Sequence, residues 1–443
     1  MKKSLLWIVV LVLSISMVAA FSLIGCKAET AAETTAAAET TAAAETTAAA
    51  EVKPIENVTI TFWNGFTGPD RPAIEELVKQ FNETHPNIKV EMDITPWDSL
   101  LTKLPASLST GGGPDIAGFN SALIPKYAES NLILPIDELY DEDFSKAFPE
   151  GLLSCLKYDG KYYGAPGNFA TLMLYYNKDL FTDAGLDPSN PPKTWDEWKD
   201  AIIKTTKVDV IDKQYGLALA DHQTIPMWPI LVWGNGGDFI SQDGKNGLMN
   251  DSKTIEAFKF WSDLVITYGI SPTALTGAEA DKLFETGKAA MEMNGPWMTT
   301  GYTAAGLNYD VAPIPVGPGG PVTLADAIAL VAGKNTEHKA EVLEFMKFWN
   351  SKESQELWSL QSGFPPTRID MMDNKNFDKN PFILKFAASA PSARFYLQGL
   401  VEYGKVNDDV IVPAIQEITI NKKDVNTVLT EANTKINDIL QGK

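Results

Sequence analysis

Short apolar segments of two different periodicities alternate along the chain from residue 58 onward. Residues 58–62 are β-branched or aromatic, as in a buried strand. The apolar residues that follow are spaced as on one face of a helix: Ile74, Leu77, Val78 and Phe81. Strand and helix patterns then alternate again up to residue 117. Because parallel strands joined by helices form a sheet covered on both faces, this order predicts an α/β fold.

A second series of strand and helix patterns begins near Thr171. Residues 172–176 are strand-like, and Thr194 and Glu197 have the spacing of a capping box at the start of a helix. The chain has 443 residues, which is enough for two domains. We therefore expect two α/β lobes instead of one large sheet.

The N-terminal 25 residues have the three parts of a secretory signal peptide: two lysines, an apolar run and small residues before Cys26. Residues 23–26, Leu-Ile-Gly-Cys, resemble the bacterial lipobox, whose cysteine receives a diacylglycerol after cleavage. We expect a signal peptide over residues 1–25 and lipidation of Cys26. An uncleaved anchor is the alternative, because the apolar run is roughly long enough to span a bilayer. In both cases the rest of the chain works outside the cytoplasm, on a membrane.

Residues 26–52 continue from this cysteine as a low-complexity segment of Ala, Glu and Thr. Residues 28–51 include no large apolar side chain, so nothing compensates the entropy lost on ordering. We expect a flexible tether with an end-to-end distance of roughly 25–30 Å.

The composition excludes polyanions as partners. The net charge is -20 and the sequence pI is about 4.6, which repels nucleic acid. The chain has three arginines, Arg71, Arg368 and Arg394, so a bidentate phosphate clamp is scarcely possible. With Cys26 lipidated, Cys155 has no partner, and its apolar neighbours predict a buried free thiol.

The motifs of catalysis and cofactor binding are missing. His85, His222 and His338 are far apart, and the sequence has no Gly-x-Ser-x-Gly elbow and no phosphate-binding loop ending in Lys-Ser or Lys-Thr. We therefore predict a protein that is not an enzyme and has no metal or cofactor. A secreted glycoside hydrolase is the alternative from another class, because carboxylates are abundant.

Tryptophans occur in two settings among the eleven in the chain. Five lie within helical patterns and are expected in cores: Trp195, Trp198, Trp261, Trp349 and Trp358. Five others stand beside Gly, Asn or Pro in expected loops: Trp63, Trp97, Trp228, Trp233 and Trp297. Loops at strand ends carry ligand sites in α/β folds, and an aromatic face stacks on the C–H surface of a sugar ring. The loop set therefore predicts a carbohydrate site.

Several segments in series resemble the extracellular solute-binding proteins, family 1, of ABC sugar importers. They are residues 63–70, 109–116, 175–181, 192–198, 284–297 and 363–366. The resemblance implies a periplasmic-binding-protein-like type II fold, in which two α/β lobes are joined by a multi-crossover hinge as in a Venus flytrap. It places the N-lobe in residues 53–166 plus about 323–370, and the C-lobe in residues 167–322 plus about 371–443.

The same resemblance implies a monomeric receptor that binds a neutral mono- or oligosaccharide between its lobes and delivers it to the permease subunits. Residues carried over from the family are Asn64, Phe66, Thr67, Phe119, Asn120, Asn168, Phe169 and Trp297. Three further candidates for ligand contact are aromatic or amide side chains in expected loops: Trp228, Trp233 and Asn235. Asp326 stands where the family often has a small residue, and is either a hydroxyl ligand or a hinge cap.

A polyol, a glycerophosphate or a peptide in the same fold is the alternative ligand. A phosphate ester requires a basic residue in the cleft, and Arg368, just after residues 364–367, is the candidate.

Overall fold

The computed structural model describes residues 57–221 and 226–443. The predicted signal peptide, Cys26 and the predicted tether lie outside the described residues, and so does His222. The strands are β1 (Val58–Asn64), β2 (Ile88–Ile94), β3 (Ile116–Asn120), β4 (Ile133–Leu134), β5 (Lys157–Tyr158), β6 (Lys161–Tyr162), β7 (Gly164–Pro166), β8 (Ala170–Thr171), β9 (Met173–Asn177), β10 (Met291–Asn294), β11 (Tyr309–Ala312), β12 (Thr323–Asp326), β13 (Ile328–Gly333) and β14 (Ala393–Phe395).

Helices follow most of these strands. The α-helices are α1 (Arg71–Thr84), α2 (Trp97–Thr110), α3 (Ile124–Glu129), α4 (Glu142–Lys146), α5 (Glu150–Cys155), α6 (Lys178–Asp183), α7 (Trp195–Thr205), α8 (Trp228–Gly234), α9 (Ser252–Tyr268), α10 (Gly277–Glu285), α11 (Met298–Ala304), α12 (Lys339–Trp349), α13 (Lys352–Ser362), α14 (Pro381–Ser389), α15 (Tyr403–Val406), α16 (Val412–Thr419) and α17 (Val425–Leu440). Short 3-10 turns cover Ser121–Leu123, Asp137–Leu139, Ile369–Met371, Lys375–Lys379 and Ala390–Ser392, and a π-helical turn covers Asn407–Ile411.

The largest sheet belongs to the first lobe. Its strand order is β2-β1-β3-β13-β4, and β7 also pairs with β13. β1 is parallel to β2 and β3, as the strand and helix alternation predicts, whereas β13 is antiparallel to its three partners. A strand from late in the chain therefore lies in the middle of a sheet formed by early strands.

Helix α1 covers one face of this sheet with the apolar stripe that its sequence predicts. Ile74, Leu77 and Phe81 are fully buried. They pack in one cluster with Phe62 of β1 and Trp349 of α12. Each large apolar side chain removed from water stabilises the fold by about 1.5–3 kcal/mol, so this cluster holds early and late segments together.

The second lobe has its own sheets and core. In one sheet β9 lies between β10 and β11, antiparallel to both, and in the other β12 lies between β8 and β14. Helix α7 begins with the predicted capping box of Thr194 and Glu197. In the core of the second lobe, the rings of Trp198 and Trp261 pack edge to face, with 4.7 Å between their centroids.

Two crossings between the lobes lie side by side. The chain leaves the first sheet at β7 and enters β8, and it returns from β12 to β13 through Ala327. The Gly167 N–H donates to the Ile328 carbonyl at 2.8 Å, and the Ile328 N–H donates to Asn168 Oδ1 at 2.9 Å. This pairing gives the two lobes a shared hinge. The return crossing at Ala327 lies a few residues after the predicted boundary near 322, and the boundaries near 166 and 370 stay a prediction.

The core predictions for single residues are confirmed. Trp198, Trp261, Trp349 and Trp358 have no exposed surface, and Trp195 is buried. Cys155 is a buried free thiol. Over residues 57–221 and 226–443, no helix combines the length and the apolar character needed to cross a bilayer.

Candidate ligand-binding cleft

A cavity of about 920 Å³ is lined by residues of both lobes. The first lobe contributes the loop after β1, the start of α2 and the end of β3, and the second contributes α10, the segment after β10 and the region of α15. The polar and aromatic residues of the lining are Phe66, Thr67, Asp70, Trp97, Asp98, Thr102, Asn120, Tyr127, Asn168, Thr276, Asp281, Asn294, Trp297, Asp326, Phe364, Tyr403, Asn407 and Asp408.

Six predicted site residues line this cavity: Phe66, Thr67, Asn120, Asn168, Trp297 and Asp326. Asn120 donates its amide to the Asp326 carboxylate, so the end of β3 is joined to the end of β12. Asn168 Oδ1 accepts a hydrogen bond from the Ile328 N–H. Asn168 therefore belongs both to the cavity lining and to the hinge. These residues come from distant segments, and the fold brings them to one surface.

Three residues predicted from the first-lobe loops lie behind that surface. Asn64 is fully buried at the end of β1 and accepts from the Phe66 N–H at 3.2 Å. Phe119 is fully buried and stacks at 4.6 Å on Tyr127, which does line the cavity. Phe169 is partly buried, with its ring 6.3 Å from that of Phe395. Their contact with a ligand stays a prediction.

The residues added on loop chemistry lie elsewhere in the second lobe. Trp228 and Trp233 belong to helix α8, so the prediction of a loop there is wrong. Pro229 occupies the first turn of that helix, where its missing N–H costs nothing, and all seven residues are buried. Trp233 donates to Asp238 at 2.9 Å. Asn235 lines a separate cavity of about 350 Å³ beside Trp195. A ligand role for these three residues stays a prediction that the lining of the large cavity does not support.

Arg368 does not line the large cavity either. Its Nε and Nη2 each donate at 2.9 Å to the two oxygens of Asp370, and its Nη1 donates to the Asn350 carbonyl at 3.0 Å. This bidentate pair holds the pKa of Asp370 down to about 2. The guanidinium therefore has a structural task at the end of the α13 region.

Two glycines let the cleft tryptophans lie flat against the main chain. A Cβ atom on Gly65 would overlap the ring of Trp97, and one on Gly295 would overlap the ring of Trp297. Both rings are half-buried, line the cavity and pack against the cluster that contains Phe66 and Phe364. Trp297 also lies 6.0 Å from the ring of Phe364. The arrangement gives the cavity two indole rings in its lining.

The lining is acidic. Burial raises the pKa of Asp70 to about 7, against hydrogen bonds from the backbone amides of Asp70 and Gly68 that lower it. Burial also raises the pKa of Asp326 to about 7, against the hydrogen bond from Asn120. The pKa values of Asp281 and Asp408 are raised as well, chiefly by burial. Among the described residues that line the cavity there is no Lys, Arg or His.

The sequence prediction omits several lining residues. Trp97 is expected in a loop but is the first residue of α2, and none of the family motifs includes it. Asp70 reads as the start of a helix, and α1 does begin directly after it. Asp281, Tyr403 and Asp408 lie on α10, α15 and the following turn, where no local pattern marks a ligand contact.

The arrangement of lobes, hinge and cleft also occurs in proteins of known structure. An ABC transporter solute-binding protein from Thermotoga lettingae, bound with alpha-D-tagatose, superimposes with a TM-score of 0.79 at 25% identity, over 86% of this chain and 99% of that one. The predicted fold class, a periplasmic-binding-protein-like type II fold of two α/β lobes, is confirmed.

Sequence comparison gives the same family. A maltotriose-binding protein of Pyrococcus abyssi is 26% identical over 86% of this chain and 83% of its own length. An sn-glycerol-3-phosphate-binding periplasmic protein of Rhizobium meliloti is 26% identical over 84% of this chain and 91% of its own length. The family model of the bacterial extracellular solute-binding proteins matches residues 67–356. The chain therefore belongs to the bacterial extracellular solute-binding proteins, as its motifs predict.

Proposed function

We propose that this protein binds a neutral mono- or oligosaccharide in the cleft between its lobes and delivers it, unaltered, to the permease of an ABC importer. The observation that carries the proposal is the pair of indole rings, Trp97 and Trp297, in the lining of one acidic cavity. Membership of an extracellular family places the protein outside the cytoplasm. Anchoring through a lipid on Cys26, with residues 27–52 as tether, completes the proposal.

The lining suits sugar rings. The C–H groups of a sugar ring pack on an indole, while its hydroxyls need acceptors and donors at the rim. Carboxylates and amides supply these at Asp70, Asn120, Asp281 and Asp326. Ligand cavities span roughly 300–1,000 Å³, and a cavity of about 920 Å³ is at the large end, which favours more than one ring.

The same lining disfavours an anionic ligand such as the glycerophosphate bound by the Rhizobium relative. A phosphate would lie among carboxylates with no cation of the described lining to compensate it. Arg368, the sequence candidate for that task, already binds Asp370 and the Asn350 carbonyl. The ligand we propose therefore carries no negative charge.

Ligand binding would stabilise the closed arrangement of the lobes, because only there would residues of both lobes contact the same molecule. The permease would recognise that closed form. A dissociation constant near micromolar, about 8 kcal/mol of binding free energy, would capture scarce sugar and still allow its release.

Titration of the purified residues 53–443 tests the proposal, with tryptophan fluorescence as the signal. The panel comprises maltotriose, mannotriose, arabinooligosaccharides, tagatose and sn-glycerol-3-phosphate. We expect saturable binding of at least one uncharged sugar, and a loss of at least tenfold in its affinity in Trp297→Ala. Tighter binding of the phosphate ester than of any sugar would contradict the proposal, and so would failure of every carbohydrate to bind.

A further inference from the structure

A buried carboxyl pair lies directly behind the cleft wall that carries Trp297. Glu292, on β10, has no exposed surface, and Asp281, on α10, lines the cavity. Asn294 Nδ2 donates to both, at 2.8 Å to Asp281 Oδ1 and at 3.1 Å to Glu292 Oε1. The Tyr302 hydroxyl donates to the other oxygen of Glu292 at 2.7 Å. One amide thus joins both carboxyl groups.

The two carboxyl groups also interact with each other: a hydrogen bond between them raises the pKa of Glu292 and lowers that of Asp281. Such a bond requires a proton on the donor carboxyl. Burial, followed by the nearby Asp281 charge, raises the pKa of Glu292 well above its ordinary value. The pair therefore keeps a proton to a higher pH than two separate carboxyl groups would.

The other titratable groups near the pair are Glu285, Tyr175 and Tyr302. The pKa values of both tyrosines are raised, chiefly by burial, so both hydroxyls stay protonated. Glu285 is paired with Lys282 at 2.7 Å. Asp281 and Glu292, whose pKa values are both raised, thus hold the proton that a rise in pH would remove from this cluster.

Asn294 connects the pair to the ligand surface. Its Oδ1 accepts from the Gly295 N–H at 2.8 Å, while the Tyr175 hydroxyl donates to the Gly295 carbonyl at 2.6 Å. The Trp297 ring lies against Gly295, so the Asn294 amide is hydrogen-bonded to the residue that supports this ring. The Asn294 amide in turn depends on two acceptors, Asp281 and Glu292.

We propose that Glu292 is a positioning residue of the ligand site: without touching the ligand, it holds Asn294, and thereby Gly295 and Trp297, in the orientation that binds sugar. The inference rests on the proposed function, because the ring that it positions is the one proposed to stack on the ligand. It adds that Glu292 performs this task as a neutral hydrogen-bonding group.

The test compares Glu292→Gln and Glu292→Leu with the wild type, titrated from pH 6 to pH 9 with the panel sugar that binds the wild type most tightly. Glutamine keeps an acceptor for Asn294 and an N–H for Asp281, but it has no proton to lose. We expect wild-type affinity to fall at least tenfold toward pH 9, and Glu292→Gln to match the wild type within threefold at pH 7 and to show no such fall. Glu292→Leu should bind at least tenfold more weakly at pH 7.

Glu285→Gln is the matched control, because it removes a neighbouring carboxylate that does not bond to Asn294, and it should leave the wild-type profile unchanged. If Glu292→Leu fails to fold, the pH profile of Glu292→Gln still tests the inference. A Glu292→Gln profile that falls as the wild type does, or wild-type affinity in a folded Glu292→Leu, would overturn the inference while the proposed function stands. A wild type that binds no sugar would overturn both.

Discussion

At the scale of single residues, the cleft depends on two positions without a side chain. Gly65 and Gly295 each lie directly against an indole ring. A Cβ atom at either position would overlap that ring. This explains why the Asn-Gly-Pro-Trp segment needs glycine at its second position: the main chain itself is the support for Trp297. An aromatic ring fixed in this way loses little freedom when a ligand binds, which favours affinity.

Replacing Gly295 by alanine should therefore displace the ring and weaken sugar binding. We expect at least a tenfold loss of affinity, about 1.4 kcal/mol, measured by calorimetric titration. Gly112→Ala is the control, because no heavy atom lies within 4 Å of the added carbon. Equal affinities for Gly295→Ala and the wild type would show that the ring does not contact the ligand.

The buried carboxyl of Asp70 should make stability depend on pH. Its pKa is about 7 in the folded protein against 3.8 as the ordinary value, so the folded state binds this proton more tightly than the unfolded state does. The stability from this group is complete below pH 4 and is lost as the pH rises to about 7, by up to about 4 kcal/mol.

Asp70→Asn removes this dependence, and the variant should be more stable than the wild type at pH 8 but not at pH 4. Denaturant unfolding at both pH values measures it, with Asp263→Asn as a control at an exposed site. Parallel pH curves for Asp70→Asn and the wild type would disagree with the raised pKa.

At the scale of elements, apolar spacing determines what can be read from the sequence. The stripe of α1 and the strands that flank it are predicted correctly, because each buries one face against a single sheet. Helix α8 is not predicted correctly, because it is apolar on every side and because Trp228 and Pro229 at its start are typical of a loop. A short helix buried all round has no periodicity to detect.

Thr194 at the start of α7 provides a prediction at this scale. Its hydroxyl accepts from the Glu197 N–H at 3.3 Å and the Glu197 carboxylate accepts from the Thr194 N–H at 3.1 Å. Thr194→Ala should lower the free energy of unfolding by about 1 kcal/mol, as measured by urea denaturation. Thr430→Ala, at an exposed position of helix α17, is the comparison and should change the free energy of unfolding by less than about 0.5 kcal/mol. If Thr194→Ala and Thr430→Ala had the same free energy of unfolding, the capping box would not contribute to stability.

At the scale of the whole molecule, the cleft is built by distant segments that only the hinge brings together. Residues with a local motif, such as Asn120 and Trp297, can be placed there from the sequence. Asp281, Tyr403 and Asp408 cannot, because they reach the cavity through the packing of α10 and of the α15 region. Local patterns therefore identify part of such a site, and tertiary packing supplies the rest.

A two-lobed receptor should also become more compact when it binds its ligand. We expect small-angle X-ray scattering of residues 53–443 to show a smaller radius of gyration with a saturating panel sugar than without it. Trp297→Ala at the same sugar concentration should keep the larger radius. A binding sugar that leaves the wild-type radius unchanged would argue against closure of the lobes.

The central claim is that this acidic, indole-walled cleft holds a carbohydrate without negative charge. Mass spectrometry of the small molecule released from the denatured protein, purified with its own ligand, tests that claim most directly. The account predicts a mass and fragmentation pattern of hexose or pentose units without phosphorus. A phosphate ester or a peptide released in stoichiometric amount would contradict it.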